Sequence, residues 1–572
     1  PGGSPLRRWR SGSTVRWSPR CRCRPGWPSR RAPPSSAGTS GTERKRVDAV
    51  PTPKLGWYKC YEIAECATTR LPLDYDKPKG AKTEIAVLRI KAKDQKHKIG
   101  SLFLNPGGPG GSATEFALYA PYFLSDSLLR RFDIVGVDPR GIGASANVRC
   151  FRSVKDQTAV FDLLNVPFPV TRTEQRRYVT GSKLLGKACS TTGRPLSGSM
   201  STAEVARDMD VMRRAVGDRK LNYLGFSYGT ALGQYYANLF PDRFRALVVD
   251  GVLEPTAWVG NNRQILDARL RSSEGAYRAL IEILKRCDRA GGKFCAFSAG
   301  DPVKNFETIA RELRAKPLEL PDGEGGTFVV TYAVFVGAIL NALYGVDAGP
   351  VVTEIAAEVW AALHSGSAAA LTARARAARA TKRGYDFPYD NGFEATSAVV
   401  CTDGGHPADA GTWPAATARR DQRAPYFGRA WGWIDSQCAR NTWTVRDEDA
   451  YRGPFTKRTA APVLVVGNFW DPATNYQGAV ASSRLLPNSR LLSSNNWGHT
   501  AYGSGVCVTT SIDNYLLTGT PPARGKVCTD SVQPFTVPLP PPGTATTLAT
   551  PTGKQRPPVA TLIPKSLLTS EK

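Results

Sequence analysis

Lys220-Leu221-Asn222-Tyr223-Leu224-Gly225-Phe226-Ser227-Tyr228-Gly229-Thr230-Ala231-Leu232-Gly233-Gln234 reads as a strand, a corner and a helix in immediate succession. The short apolar run up to Leu224 has the length of a buried strand, and the run from Thr230 to Ala237 reads as a helix. Ser227 sits at the corner. Glycine two positions to either side, at 225 and 229, lets a sharp turn close without a Cβ clash and leaves the hydroxyl in the open. Five letters are not specific alone, since a glycine-rich turn with an exposed serine has the same spelling. The rest of the chain has to supply what such a serine needs.

An oxyanion site is the first requirement. Leu102-Phe103-Leu104-Asn105 is an apolar strand that runs into Pro106-Gly107-Gly108-Pro109-Gly110-Gly111-Ser112, a loop with almost no side chains. Bare backbone leaves amides free to face a developing negative charge, and the residue after a corner serine supplies a second donor. Gly107, Gly108 and Tyr228 are the candidates. A phosphate cradle would want a lysine and a Ser/Thr after the glycines, and no lysine follows them. A second buried strand, Phe132 to Val137, ends at Asp138-Pro139-Arg140. Asp138 and Arg140 read as a structural ion pair bracing the loops.

A general base and its orienting acid are the next requirement. Pro462 to Gly467 reads as a strand followed by Asn468-Phe469-Trp470-Asp471-Pro472. Ser489 to Ser493 reads as another, followed by Asn496-Trp497-Gly498-His499-Thr500. Ser227, Asp471 and His499 thus each stand just beyond a strand's C-terminal end. Their chain order is the one expected of an α/β-hydrolase fold, a mostly parallel sheet whose functional groups collect at that edge. The chain has four histidines. His97 lies between two lysines and reads as solvated surface, His364 follows an Ala-rich helix and reads as helix surface or a C-terminal charge, and His406 sits in a loop that reads as surface, with the lining of a pocket as the alternative. His499 alone stands where a base is needed. The roles expected are attack by Ser227, proton transfer through His499 and orientation of the imidazole by Asp471.

At 572 residues the chain can bury a large core. Its formal charge of +27 suggests nucleic acid, yet the first 50 residues alone hold 12 Lys/Arg against 2 Asp/Glu, and no nucleic-acid motif accompanies the rest. Residues 1–50 are rich in Arg, Pro, Ser and Gly and are expected to be disordered. No signal peptide is visible there, so the natural start is expected to differ. Residues 531–572 read as a Pro/Thr-rich tail, loosely ordered or draped. Cys21 and Cys23 aside, ten cysteines remain: 60, 66, 150, 189, 287, 295, 401, 438, 507 and 528. Their local spacings favour disulfides and an oxidising compartment over buried free thiols. Sequential pairing is the expectation, out of about 945 connectivities. No CxxC pair supports zinc, and no metal or cofactor is expected. The longest apolar stretch, Ala333 to Val346, is too short to span a bilayer.

Between the strand ending at Asp250 and the strand at Pro462 the pattern is mainly helical, which interrupts the strand–helix rhythm and reads as a cap over the sheet edge. The expected organisation is a core first part at 51–252, a helical cap at 253–455 and a core second part at 456–530. With these segments in place the chain resembles the secreted tripeptidyl aminopeptidases and mycelium-associated proteinases of actinomycetes, α/β-hydrolases related to prolyl aminopeptidases. The resemblance covers about residues 51–530. It rests on NPGGPGGS at 105–112, DPRGIGAS at 138–145, GFSYGT at 225–230, ALYGVDAG at 342–349, AVVCTD at 398–403, GNFWDPAT at 467–474 and WGHTAYG at 497–503. It implies the same triad, a C-terminal segment typical of that family after Gly467, and secretion or a cell-surface location.

The resemblance also implies a peptide substrate with a free N-terminus, cut a few residues in. The enzyme is expected to act as a monomer, with no nucleic-acid partner and no membrane span. A carboxylate would have to hold the α-ammonium, and Glu254 and Asp403 are the candidates, each equally readable as a structural acid. A carboxylesterase would use the same triad on acyl esters. A non-catalytic binding protein of this fold would need a broken triad, and all three residues are present.

Overall fold

Apolar runs rich in Val, Leu, Ile and Phe become the middle of one ten-stranded sheet in this computed structural model. The structure describes residues 37–321, 326–380, 389–530 and 533–539. Seven strands precede the cap region: β1 (Tyr58–Cys60), β2 (Ala64–Pro72), β3 (Lys82–Ile90), β4 (Gly100–Asn105), β5 (Phe132–Val137), β6 (Leu221–Phe226) and β7 (Phe244–Asp250). β8 (Leu318–Pro321) and β9 (Thr327–Val330) pair only with each other, a small hairpin that the helical pattern of the region did not announce. β10 (Val463–Trp470), β11 (Ser489–Trp497) and β12 (Val527–Cys528) complete the sheet.

The order across the sheet is β1-β2-β3-β5-β4-β6-β7-β10-β11-β12. From β5 to β12 neighbours run parallel, and β1 to β3 form an antiparallel flank. β4, β5 and β6 are buried along their whole length, as strands covered on both faces must be. Successive side chains feed two apolar clusters, one on each face. From β4 the chain moves outward one way to β5, then returns to β6 and moves the other way to β7. That reversal opens a crevice at the carboxyl ends of β4 and β6, where open α/β sheets place their ligands.

Between β7 and β10 the chain is mainly helical. Its longest helix, Ser272–Ala290, buries Ala276, Ala279, Leu280, Ile283, Leu284 and Cys287, one stripe at helical spacing. All ten cysteines outside the N-terminal segment pair sequentially, as expected: Cys60–Cys66, Cys150–Cys189, Cys287–Cys295, Cys401–Cys438 and Cys507–Cys528. Among the described residues no helix is long and apolar enough to cross a membrane.

Three expectations need correction. Residues 1–36 lie outside the described residues, but Gly41–Asp48 is a helix and not disordered chain. Ser40 caps it, Val47 is fully buried, and Glu43 pairs with the buried Arg207 at 2.9 Å. A polar, basic composition hid a segment held by ion pairs from Glu43, Arg46 and Asp48 and by the buried Val47. The tail is likewise docked at 533–539: Gln533 accepts bonds from Arg286 (2.9 Å) and from the Trp497 indole (3.2 Å). Residues 540–572 lie outside the described residues.

Asp138 and Arg140, thirdly, brace different loops and not each other. Asp138 accepts from the Thr114 amide and hydroxyl (both 2.8 Å), Ser112 (2.9 Å) and the Ala144 amide (2.7 Å). Arg140 is fully buried. It forks onto Asp208 (2.7 and 2.8 Å), pairs with Glu204 (2.9 Å) and donates to the carbonyls of Pro72, Leu73 and Ser199. Removing one member of a buried pair strands the other charge. Arg140→Ala should therefore lower unfolding stability by about 3–5 kcal/mol, read from the urea midpoint. A loss below about 1 kcal/mol would show that the network carries little.

Candidate active site

Ser227 has φ 54° and ψ −123°, a region that a residue with a side chain enters only under constraint. The constraint is local. The Ser227 amide donates to the Asp250 carbonyl at 3.0 Å, tying the corner to the end of β7. Its carbonyl accepts from the Thr230 hydroxyl (2.5 Å), which accepts in turn from the Leu253 amide (3.0 Å). A Cβ at position 225 would stand 2.5 Å from the Gly229 carbonyl, and one at 229 would stand 2.8 Å from the Asn105 side chain. Both positions therefore exclude any residue larger than glycine. The helix Tyr228–Leu239 starts at the corner, so its positive end lies beside the serine.

Asp471 follows β10 and His499 follows β11, as read from the sequence. Both carboxylate oxygens of Asp471 stand 3.0 Å from His499 Nδ1. One of those oxygens also accepts from the Ala473 and Thr474 amides (2.8 Å each), and the other from the Thr474 hydroxyl (2.8 Å) and the Thr500 amide (3.1 Å). Burial opposes ionisation of Asp471, but the imidazole and these donors outweigh it and hold its pKa below the usual 3.8. His499 Cε1 lies 3.4 Å from where a Cβ of Gly251 would be, so the ring reaches back across β10 to the end of β7. That end is bonded to Ser227. His499, Asp471 and Ser227 are therefore gathered at one rim, with exposures of 2 %, 0 % and 1 %.

Register explains the fourth component. Asn105 of β4 pairs with Gly225 of β6, so the glycine loop and the serine corner leave the sheet side by side. A Cβ on Gly107 would fall 2.4 Å from the Phe226 carbonyl and 2.8 Å from both Ser227 Cβ and the Tyr228 amide nitrogen. The Gly107 amide itself donates to the Asn105 side chain at 3.0 Å. Among the described residues neither the Gly108 nor the Tyr228 amide donates to a protein acceptor. Thr396, on the helix Gly392–Asp403, donates to the Pro109 carbonyl at 2.7 Å and braces the loop.

The two candidate ammonium anchors have different surroundings. Glu254 is half-buried and turns its carboxylate onto its own helix, capping the Thr256 (3.0 Å) and Ala257 (2.6 Å) amides. Asp403 is buried and accepts from the Thr202 amide (2.7 Å) and hydroxyl (2.5 Å) and from the Trp258 indole (2.8 Å). Burial pushes its pKa up to about 6 despite those donors. Of the other histidines, His97 is exposed beside Asp94 (2.8 Å), and His364 lies near the surface at a helix end, stacked on Trp360. His406 is not loop surface as expected. It is buried, with Asp435 at 3.0 Å from one nitrogen and the Val400 carbonyl at 3.0 Å from the other.

Several supporting residues escaped the sequence reading. The Asp250 carboxylate accepts the Ala501 and Tyr502 amides (2.8 and 2.7 Å), and Asn468 donates to the Gly498 and Thr500 carbonyls (3.1 and 2.5 Å). Together they shape the turn that carries His499. Only their position at strand ends could have marked them.

A serine at a strained corner, a buried imidazole–carboxylate pair and a bare glycine loop on a mostly parallel sheet define a serine hydrolase of the α/β-hydrolase class. The model of the alpha/beta hydrolase fold matches residues 100–284, and that of the TAP-like proteins matches residues 424–528. The chain is 32% identical over 481 residues to a tripeptidyl aminopeptidase of Streptomyces coelicolor, covering 82% of this chain and 84% of that protein. It is 31% identical over 520 residues to carboxylesterase B of Mycobacterium tuberculosis, with 87% and 94% covered. It is 29% identical over 508 residues to the serine protease Hip1 of the same organism, with 83% and 92% covered. The chain belongs to the tripeptidyl aminopeptidase family of TAP-like α/β-hydrolases.

Asp471→Asn keeps the size of the side chain but presents a donor to Nδ1, favouring the wrong tautomer. It should lower kcat by about 10⁴ with the fold retained, as measured by turnover alongside a thermal melt. The depressed pKa means that ionised Asp471 stabilises the folded site at all pH values above the ordinary carboxylate range. That contribution is lost as pH falls through the depressed value.

Proposed function

We propose that the protein is an exported serine peptidase that releases short peptides, tripeptides foremost, from free N-termini. The observation that carries this reading is the convergence of Ser227, His499 and Asp471 at one sheet edge beside the glycine loop. Ser227 attacks the scissile carbonyl while His499 takes its proton, with Asp471 holding the imidazole in the tautomer that leaves Nε2 as acceptor. The tetrahedral oxyanion is received by the amides of Tyr228 and Gly108. Gly107 supports them by its close approach and by its bond to Asn105. His499 then gives the proton to the departing amine, and water releases the acyl group by the reverse sequence.

The helical segment 253–455 acts as the lid, set between the two core parts at 51–252 and 456–530. With the reacting groups nearly inaccessible, substrate entry needs the lid to move. Glu254, half-buried at the base of the lid, is the acid assigned to the substrate ammonium. Asp403, enclosed with three donors, serves the packing under Tyr228. Five disulfides support an oxidising, extracellular place of work, and the enzyme acts there as a monomer.

A carboxylesterase reading is favoured by one finding, the relative that bears that name. The triad serves either chemistry, so the substrate decides. A tripeptide amide reporter should be cleaved about 10-fold or more faster than its N-acetylated twin, since losing a charge-assisted hydrogen bond to the half-buried Glu254 costs about 1.5–3 kcal/mol. Equal rates would contradict an enzyme that reads the free amine. Rapid turnover of simple acyl esters with no amide cleavage would establish the esterase. Ser227→Ala should bring either activity down by about 10⁴ or more.

A further inference from the structure

The lid does more than cover the site: one of its residues touches the base. Tyr344 follows the helix Tyr332–Ala342, within the lid segment. Its carbonyl accepts the His499 amide proton at 3.1 Å. Its ring meets the His499 ring edge to face, with centroids 5.1 Å apart and planes at 70°. Burial, together with the charge of Asp471, keeps its phenol neutral, well above the ordinary pKa of 10.

Asp471 holds His499 only through Nδ1, with its two oxygens equidistant. Those contacts, and the Thr474 hydroxyl 3.5 Å from the same nitrogen, all act at the near end of the ring, so its tilt is set by what packs on its faces. Tilting swings Nε2, the atom that must face Ser227. At the ring's Cε1 the neighbour is Gly251, which has no side chain to oppose a tilt. A flat aromatic face held at 70° does oppose it. The lid grips the acid loop as well: Asn475 donates to the Arg271 carbonyl at 3.0 Å, and a Cβ on Gly275 would fall 2.8 Å from the Asp471 carbonyl.

We propose that Tyr344 is a positioning residue that aligns His499 for proton transfer, so that seating of the lid completes the catalytic geometry. The inference rests on the serine-hydrolase reading of the site. A misaligned imidazole still helps the serine attack, but it fails most where it must deliver a proton to a poor leaving group. An amide needs that delivery, whereas a p-nitrophenyl ester releases an anion that does not.

The test compares Tyr344→Ala, Tyr344→Leu and Tyr344→Phe with the parent enzyme, using a tripeptide amide and the p-nitrophenyl ester of the same tripeptide. Active sites are titrated with a fluorophosphonate so that rates refer to folded enzyme. Removal of the ring should lower kcat for the amide about 30-fold or more and for the ester less than about 3-fold, with KM within about twofold. Tyr344→Phe should restore the amide rate. Equal losses on both substrates, a change confined to KM, or failure of Phe to rescue would overturn the assignment. A parent enzyme that cleaves neither substrate, or a Ser227→Ala variant that retains both activities, would instead count against the proposed function.

Discussion

The architecture of the rim depends on one register: Asn105 beside Gly225 across the β4–β6 ladder. Because those two strands are neighbours and end level, a loop stripped of side chains passes within van der Waals reach of a serine forced to φ 54°. Any Cβ at 107, 225 or 229 would collide with backbone or with Asn105. The glycines are therefore a condition of the site's geometry and not a sign of looseness. Strain at Ser227 is tolerated because Asp250, Thr230 and Leu253 over-determine the corner with hydrogen bonds.

From that corner the remaining groups follow by strand spacing. Neighbouring strands lie about 4.8 Å apart, so a histidine on β11 can approach a serine on β6 only by reaching back over β10 and β7. The turn Gly498–Thr500 does this, with Gly498 and Thr500 at positive φ and with Asn468 and Asp250 holding its backbone. Gly251 leaves the space that the ring crosses. The helical segment between β7 and β10 also touches the resulting pair, through Tyr344 at His499 and through Arg271 at the loop after Asp471.

Much of this was legible in the sequence because it is written in short local patterns. Apolar runs ending in Ser227, Asp471 and His499 placed all three at strand termini, and local cysteine spacing anticipated five disulfides. What stayed hidden is long-range. His406 reads as a loop residue because nothing nearby reveals Asp435, which closes over it from 29 positions away. Arg140 stands next but one to Asp138, yet its partners are Asp208 and Glu204. The helix at 41–48 is polar in composition, and its partners lie far along the chain: Arg207 at 164 positions, Arg243 at 195 and Asp449 at 403. Tyr344 lies in an apolar helical stretch that gives no hint of contact with an imidazole 155 positions later.

The central claim is that His499, oriented by Asp471, activates Ser227. Reaction with a fluorophosphonate followed by peptide mass mapping addresses it most directly. One adduct is expected, on the peptide containing Ser227, forming rapidly in the intact enzyme and slowed by about 10³-fold or more when His499 is replaced by alanine. Labelling at a different serine, or labelling of Ser227 at the same rate without the imidazole, would contradict it.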